Sequence, residues 1–349
     1  MSDPIRLAIL GCGAITRECH LPAVIAHPRV SLTALVDVDI KRARELQQAH
    51  GLDCKIAADA RSVLNECDAI IVALPNHLHA AITQEALRAG VHVLCEKPLA
   101  TTIADARACC DAAVQGGILL AVGMNRRFHQ NSRILKLVFE EGLLGDLQNY
   151  EWEHGAPWDW NSASGFYLDR SQCGGGVLVD FGVHMLDCVA AWFGTVTHLE
   201  YQDDDWGSGI EANAILNLRQ TGPYGSVKGY LRMSRMYSLK NRLLVRGTNA
   251  QAEIHADDPD TVVLHRKVAG EGLDMTLRFA ELLGQKENDS FYLQLDNFVQ
   301  SIKGTQSPVA DCQQALSILE LVQRCYAQDR RIPEPWSEVS ADTLLEVQP

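Results

Sequence analysis

Long apolar runs are missing from this 349-residue chain. A membrane-spanning helix needs roughly 18 consecutive apolar residues, and no run reaches that length. Blocks of basic residues are missing too. Thirty-one Lys and Arg stand against 44 Asp and Glu, a formal net charge of −13. Most of such a surface repels a phosphate backbone, which argues against nucleic-acid binding. A local anion site remains open, because amides at a helix N-terminus can supply one. Metal-site spacings are lacking: the 12 histidines are dispersed, with no HExxH or HxxxH, so no metal is expected. No CxxC occurs among the 11 cysteines. Cys12, Cys67, Cys95 and Cys188 lie in apolar segments, and Cys109 and Cys110 are adjacent. Buried free thiols in a reducing cytoplasm are expected rather than disulfides. The start, Met-Ser-Asp-Pro and then an apolar strand, lacks the basic and apolar regions of a secretory signal.

What is present is alternation. Ile5–Leu10 is an apolar run followed by glycines, and Ala14–Ala26 is long enough for a helix with a kink at Pro22. Strands are expected at Ser31–Val36, Ala69–Leu74, Val91–Cys95 and Ile118–Val122. Helices are expected at Ile40–His50, Ala80–Ala89 and Ile103–Val114, stopped by Gly51, Gly90 and Gly116. Nearly continuous apolar strands separated by helices mean a parallel sheet covered on both faces. After Gly123 the pattern changes. A helix at Asn131–Glu141 is followed by loops with clustered aromatics and a helix at Val183–Phe193. Strand-like stretches then run at Ala212–Leu218, Gly225–Met233, Arg242–Arg246 and Thr261–Lys267, before helices at Phe291–Ile302 and Ala310–Ala327. Successive strands without helices between them imply an antiparallel or mixed sheet. The expected fold class is therefore α/β, a doubly wound Rossmann domain over 1–123 and a second α/β domain over 124–349.

Gly11-Cys12-Gly13 follows the first strand and opens the first helix, with Ala14 and Ile15 next. Glycines there permit a tight turn and close approach of backbone to a pyrophosphate. Thr16 replaces the usual third Gly or Ala, and a plain strand-to-helix turn is the competing reading. Asp37 ends the second strand, 24 residues after Gly13, near the spacing of a ribose-binding acid. Such a carboxylate accepts ribose hydroxyls and repels a 2′-phosphate, which favours NAD. Lys41 and Arg42 leave NADP open. Leu74, Pro75 and Asn76 end another strand and should lie along the cofactor.

Four segments occur in order: Gly11 to Pro22, Pro75-Asn-His-Leu-His79, Glu96-Lys97-Pro98, and Gly174-Gly-Gly-Val-Leu-Val-Asp180-Phe-Gly-Val-His184-Met-Leu-Asp187. Together they resemble the glucose–fructose oxidoreductase / inositol dehydrogenase / rhizopine catabolism family. The resemblance covers most of the chain and is strongest up to residue 194. It implies a Rossmann domain, a C-terminal α/β domain with an open-faced, mostly antiparallel sheet, and a homodimer or homotetramer built on that sheet. It also implies a soluble NAD(P)-dependent oxidoreductase acting on a sugar, cyclic polyol or nucleotide sugar.

Taking hydride from a secondary alcohol requires a base, a stabiliser for the alkoxide and a carbon held against nicotinamide. His184 is the expected base, since imidazole exchanges a proton near neutral pH. Asp180 lies four residues earlier and can orient it or hold a substrate hydroxyl. A helix-capping Asp with a buried His is the plain alternative, and the resemblance favours the active-site roles. Lys97 follows a strand at the sheet's carboxyl edge, where its cation can stabilise an alkoxide. Pro98 permits a cis bond that aims its neighbour. Glu96 is expected to position the nicotinamide ribose or Lys97, and His79 to lie beside the cofactor. Asn125 and Arg127 are expected at the substrate pocket, with bracing as the alternative for the arginines. Trp158 is a candidate stacking platform within the aromatic stretch Trp152, Trp158, Trp160, Phe166 and Tyr167. Asp203-Asp204-Asp205 reads as a solvated turn. Two alternatives keep the fold: a glycosidase using transient oxidation, and a non-enzymatic regulator sensing NAD(P) or a sugar.

Overall fold

The computed structural model describes residues 3–157, 164–205, 207–268, 271–278, 289–328 and 330–332. Its two sheets belong to two compact units. The first sheet contains β1 (Ile5–Leu10), β2 (Val30–Val36), β3 (Lys55–Ala57), β4 (Ala69–Val72), β5 (His92–Cys95) and β6 (Leu120–Val122). The strands are all parallel, in the order β3-β2-β1-β4-β5-β6. β4 is buried along its whole length, as strands covered on both faces must be. The strand order reverses between β1 and β4, which opens a crevice at their carboxyl ends.

The expected first helix is broken in two. Thr16–His20 forms a π-helical turn, and α1 (Leu21–Ala26) follows with Pro22 in its first turn. Proline carries no N–H for the bond back along the helix, so the ladder changes register around it. α2 (Ile40–His50) starts on the Asp39 carboxylate and ends at Gly51 with φ 60°, as expected. α3 (Asn76–Arg88) begins earlier than expected, because Pro75, with φ −56°, serves as its N-cap. α4 (Ile103–Gly116) is capped by Thr102 and stops at Gly117 rather than Gly116, since Gly117 holds the left-handed conformation, φ 63°.

The compact units do not follow a single cut at residue 123. The first comprises Met1–Phe128, Trp160–Gly174 and Leu283–Glu320; the second comprises His129–Asp159, Gly175–Leu282 and Leu321–Pro349. The reason is the late helix α8 (Ser290–Ile302). Its Leu295, Phe298 and Val299 share a core with Leu7, Ile9, Leu21 and Val24. Each such burial contributes roughly 1.5–3 kcal/mol. Asp296 on α8 also pairs with His27 and Arg29. The Ala310 carbonyl accepts the Val122 amide at 3.0 Å.

The second unit carries α5 (Gln130–Glu140), α7 (Val183–Phe193) and an eight-stranded sheet. A short helix, α6 (Arg170–Cys173), lies in the first unit, and α9 (Cys312–Tyr326) follows α8. The sheet strands are β7 (Leu147–Gly155), β8 (Thr195–Asp203), β9 (Asn213–Gly222), β10 (Gly225–Ser234), β11 (Arg242–Gly247), β12 (Gln251–His255), β13 (Asp258–Val268) and β14 (Glu271–Leu277). Their order is β14-β13-β12-β11-β7-β10-β9-β8. Among the described residues of this sheet, only β7 and β10 pair in parallel. One face packs on α7: Tyr150 stacks on Phe193 and Trp152 on Trp192. β7 replaces the expected loop. Its Glu151 and Glu153 alternate with those aromatics and are nearly buried, held by Lys240 at 3.0 and 2.7 Å. Charges in a strand are tolerated where a cation meets them, and the composition of the segment hid that pairing.

The solvated turn expected at 203–205 is instead a structured corner. Asp203 is buried and pairs with Arg331 at 2.9 Å. Asp204 accepts the amides of Ala212 and Asn213, and Asp205 those of Gly207 and Gly209. None of the 11 cysteines forms a disulfide, and all but Cys19 and Cys54 are buried. One helical stretch among the described residues, Arg170–Phe193, is long and apolar enough for a membrane span, but 78% of its most apolar window is buried inside the protein.

Candidate active site

The glycine turn after β1 is built from close contacts. Gly11 has φ 97°, and a Cβ there would lie 2.1 Å from the Ala73 carbonyl oxygen, so only glycine fits. The Thr16 hydroxyl donates to the Gly11 carbonyl at 2.6 Å and closes the turn, which accounts for Thr at the third fingerprint position. A Cβ on Gly13 would meet nothing within 4 Å. Space at Gly13 beside a backbone pinned at Gly11 is the cradle a pyrophosphate needs. Ala14 and Ile15 continue it, each half-buried. Asp37 sits at the end of β2 and accepts the Cys12 amide at 2.9 Å and the Asp39 amide at 2.8 Å. Its carboxylate thus braces the turn. Arg42 approaches it at 3.8 Å. These residues fit a dinucleotide.

At the ends of β4 and β5 the predicted residues divide into two kinds. Leu74 and Pro75 are half-buried at the sheet edge. The Asn76 side chain donates to the Cys173 carbonyl at 2.8 Å. His79 is only 1% exposed, and its two ring nitrogens each lie 2.7 Å from a carbonyl, that of Leu74 and that of Pro98. It is a strut that ties the segment after β4 to the segment after β5. Burial lowers its basicity, against the pull of the two carbonyls and Glu96. Lys97 is half-buried and precedes a cis bond to Pro98. Glu96 accepts the Lys97 amide at 3.2 Å and meets His20 at 2.8 Å. Burial opposes ionisation of Glu96, but His20, then Lys97 and His79, hold its carboxyl below the usual range. His20 is thus a site residue that the sequence contained within a motif but gave no role. Gly123 packs against the same carboxylate: a Cβ there would lie 3.1 Å from Glu96.

Asn125 opens a short 3-10 turn, Asn125–Phe128, next to β6. Arg127 donates to the Val309 carbonyl at 2.7 Å and to Gln314 at 3.1 Å, so it braces the segment joining α8 and α9. Trp158 and Trp160 lie outside the described residues. Trp152 is core, whereas Phe166 and Tyr167 stack on each other in a half-buried turn.

Asp180 and His184 belong to the second unit. Asp180 lies in a π-helical turn, Leu178–Gly182, that runs directly into α7, which carries His184. Such turns recur at functional sites. His184 is 9% exposed on a helix that is apolar nearly all round. Asp180 is partly exposed and pairs with Arg235 at 3.2 Å. The start of the turn is gripped by Glu211, which accepts the Gly176 amide at 2.9 Å and the Leu178 amide at 2.8 Å. Nothing in the local sequence around Glu211 or Arg235 signals either role. Among the described residues, no group of three or more His, Cys, Asp or Glu is placed to hold a metal ion.

A parallel sheet in this strand order, with a pinned glycine turn and an acid ending β2, defines a dinucleotide-binding protein of the nicotinamide oxidoreductase class. The comparisons make this specific. Residues 5–124 match the profile described as "Oxidoreductase family, NAD-binding Rossmann fold", and residues 133–253 match the "GFO/IDH/MocA C-terminal domain". The chain belongs to that family, and its N-terminal region is an NAD-binding Rossmann domain. It is 32% identical over 192 residues to a D-glucoside 3-dehydrogenase of Escherichia coli (strain K12), covering 53% of each chain. It is 29% identical over 225 residues to dTDP-3,4-didehydro-2,6-dideoxy-alpha-D-glucose 3-reductase of Actinomadura kijaniata, covering 63% of this chain and 66% of that one. The matches thus span between about half and two-thirds of these relatives. In fold, it resembles levoglucosan dehydrogenase in complex with NADH and levoglucosan, at 19% identity and a TM-score of 0.82, covering 93% of this chain and 98% of that one. The Bordetella pertussis WlbA dehydrogenase, in complex with NADH and UDP-GlcNAcA, matches at 20% identity and a TM-score of 0.77, covering 94% and 96%.

Proposed function

We propose that this chain is an NAD-dependent dehydrogenase acting on a secondary alcohol of a sugar, cyclic polyol or nucleotide sugar. The observation that carries the reading is Lys97, whose amide donates to a nearly buried, ionised Glu96 at the carboxyl edge of an NAD-binding sheet. The sugar dehydrogenase and reductase names of the relatives support the substrate class. Bound nicotinamide supplies a site that takes or gives hydride at the carbinol carbon. His184 takes the hydroxyl proton at imidazole nitrogen during oxidation and returns it during reduction. The Lys97 ammonium stabilises the alkoxide and lowers the cost of losing that proton. Asp180, as a carboxylate, accepts a hydrogen bond from substrate hydroxyl or imidazole. Asn125 lines the substrate pocket. Asp37 accepts the adenosine ribose hydroxyls and disfavours a 2′-phosphate, which makes NAD the preferred cofactor over NADP. The chain works as a cytoplasmic homo-oligomer.

The test follows absorbance of reduced nicotinamide, with NAD or NADP and a panel of polyols, free sugars and nucleotide sugars. Reduction that needs both a substrate and Lys97 is expected. Cofactor binding without reduction across the panel would overturn the reading in favour of transient-redox glycoside cleavage or sensing.

A further inference from the structure

The glycine run before Asp180 carries more than flexibility. A Cβ on Gly176 would lie 1.9 Å from the Glu211 carbonyl oxygen, and one on Gly175 would lie 2.1 Å from the Tyr326 hydroxyl. The backbone therefore lies flat against two other segments of the same unit. Glu211, 1% exposed, spends its carboxylate on the Gly176 and Leu178 amides and on the Tyr326 hydroxyl at 3.0 Å. Those amides open the turn that holds Asp180. A carboxylate there satisfies donors that the helix itself leaves unpaired.

Arg235 completes the grip from the other side. It follows β10 directly, and its own amide donates to the Ala212 carbonyl at 2.8 Å, which anchors its backbone to the start of β9. Its side chain is only 10% exposed. One terminal nitrogen, Nη2, donates to the Gly176 carbonyl at 3.0 Å and lies 3.2 Å from Asp180 Oδ2. A single nitrogen thus joins the entry of the turn to the carboxylate that the turn presents. The titratable groups on the elements packed here include Glu211 before β9, Tyr326 on α9, His154 of β7 stacked on Phe181, and His184 and the buried Asp187 further along Asp180's own helix; β7 and β10 also carry Glu151, Glu153 and Arg232.

We infer that Arg235 is a positioning residue that fixes the Asp180 side chain relative to its helix and keeps it an ionised acceptor. The inference rests on the proposed catalytic part of Asp180. It assigns Asp180 the acceptor role alone: with a cation at 3.2 Å, the carboxyl is poor at donating a proton. Arg235 acts through Asp180 and has no assigned contact with substrate.

The experiment compares Arg235→Gln, Arg235→Lys and Asp180→Asn in the full chain with NAD and an accepted sugar. Asp180→Asn by itself reads the underlying assignment: unchanged turnover and pH profile would remove Asp180 from the chemistry. Arg235→Gln is expected to lower kcat on the order of a hundredfold, the scale of a misplaced group, with KM for NAD little changed. Losing the cation makes Asp180 easier to protonate, so the acid limb of kcat/KM should move to higher pH. Arg235→Lys should restore most of that shift. Carboxyl carbon NMR, with Asp180→Asn identifying the signal, reads the same titration without activity. Movement of that signal to higher pH in Arg235→Gln supports the inference even if Asp180 proves non-catalytic. An unmoved titration, with Arg235→Lys no better than Arg235→Gln, would overturn it and leave Arg235 a packing residue.

Discussion

Both units place a glycine-rich turn, a carboxylate on its amides and a π-helical turn in succession, yet the two arrangements do different work. In the first unit Asp37 holds the Cys12 amide, Thr16–His20 is the π turn, and Gly13 faces open space. In the second, Glu211 holds the Gly176 and Leu178 amides, Leu178–Gly182 is the π turn, and both Gly175 and Gly176 are filled to contact. One set of glycines leaves room for a ligand. The other lets backbone pack against backbone so that a side chain on the following turn is held still. Glycine spacing alone does not distinguish a cradle from a clamp, because both need the missing Cβ.

The comparison can be broken at several points. The largest expected effect is Lys97→Ala, in the first unit. Turnover should fall by about 10²–10³-fold, the usual loss when one stabiliser of developing charge is removed. Cofactor affinity, followed by fluorescence titration, should change little; equal losses would make Lys97 a binding residue.

The two kinds of glycine are separated by one pair of variants. Gly176→Ala should destabilise the fold by roughly 3 kcal/mol or more, because its Cβ would need backbone to move. Gly13→Ala should leave stability within about 1 kcal/mol while weakening NAD binding. Chemical denaturation and a binding titration on both proteins measure this. Similar stability losses in the two would erase the distinction between cradle and clamp.

A smaller effect is expected at Asp37. Removing its carboxylate by Asp37→Ala should relax the preference for NAD over NADP, read as the ratio of kcat/KM values. Some loss of stability should accompany it, since the Cys12 and Asp39 amides lose their acceptor. An unaltered ratio would confine Asp37 to bracing the turn.

The subtlest test concerns Glu96. Its carboxyl is held below the usual range, so its ionised form stabilises the fold at pH above the unfolded value, near 4.3, and that contribution disappears as pH falls through the folded value. His20→Gln removes its strongest opposing partner and leaves burial dominant. The melting-temperature deficit of the variant should therefore be greatest near neutral pH and shrink on acidification. A constant deficit across pH would show that His20 acts through packing on Phe291 instead.

Much of this was legible in the chain because local chemistry determined it. The parallel sheet followed from apolar runs separated by helices, and Gly11, Gly51 and Asp37 lie where their spacing put them. Boundaries slipped where one residue outranked a pattern, as Pro75 did in starting α3 early and Gly117 in ending α4 late. β7 was unreadable as a strand because Glu151 and Glu153 rely on Lys240, 89 and 87 positions away in sequence.

The sequence by itself determined the family, the dinucleotide turn and the motifs that carry Lys97, Asp180 and His184, since each depends on residues close together in the chain. Tertiary structure alone decided the partners that give those motifs their properties. His20 reaches Glu96 across 76 positions, Asp296 returns to His27 and Arg29, and Glu211 and Arg235 grip a turn formed long before either in the chain. The reason is physical. Backbone conformation responds to near neighbours, whereas the charge state and aim of a buried side chain depend on whichever distant groups replace its water.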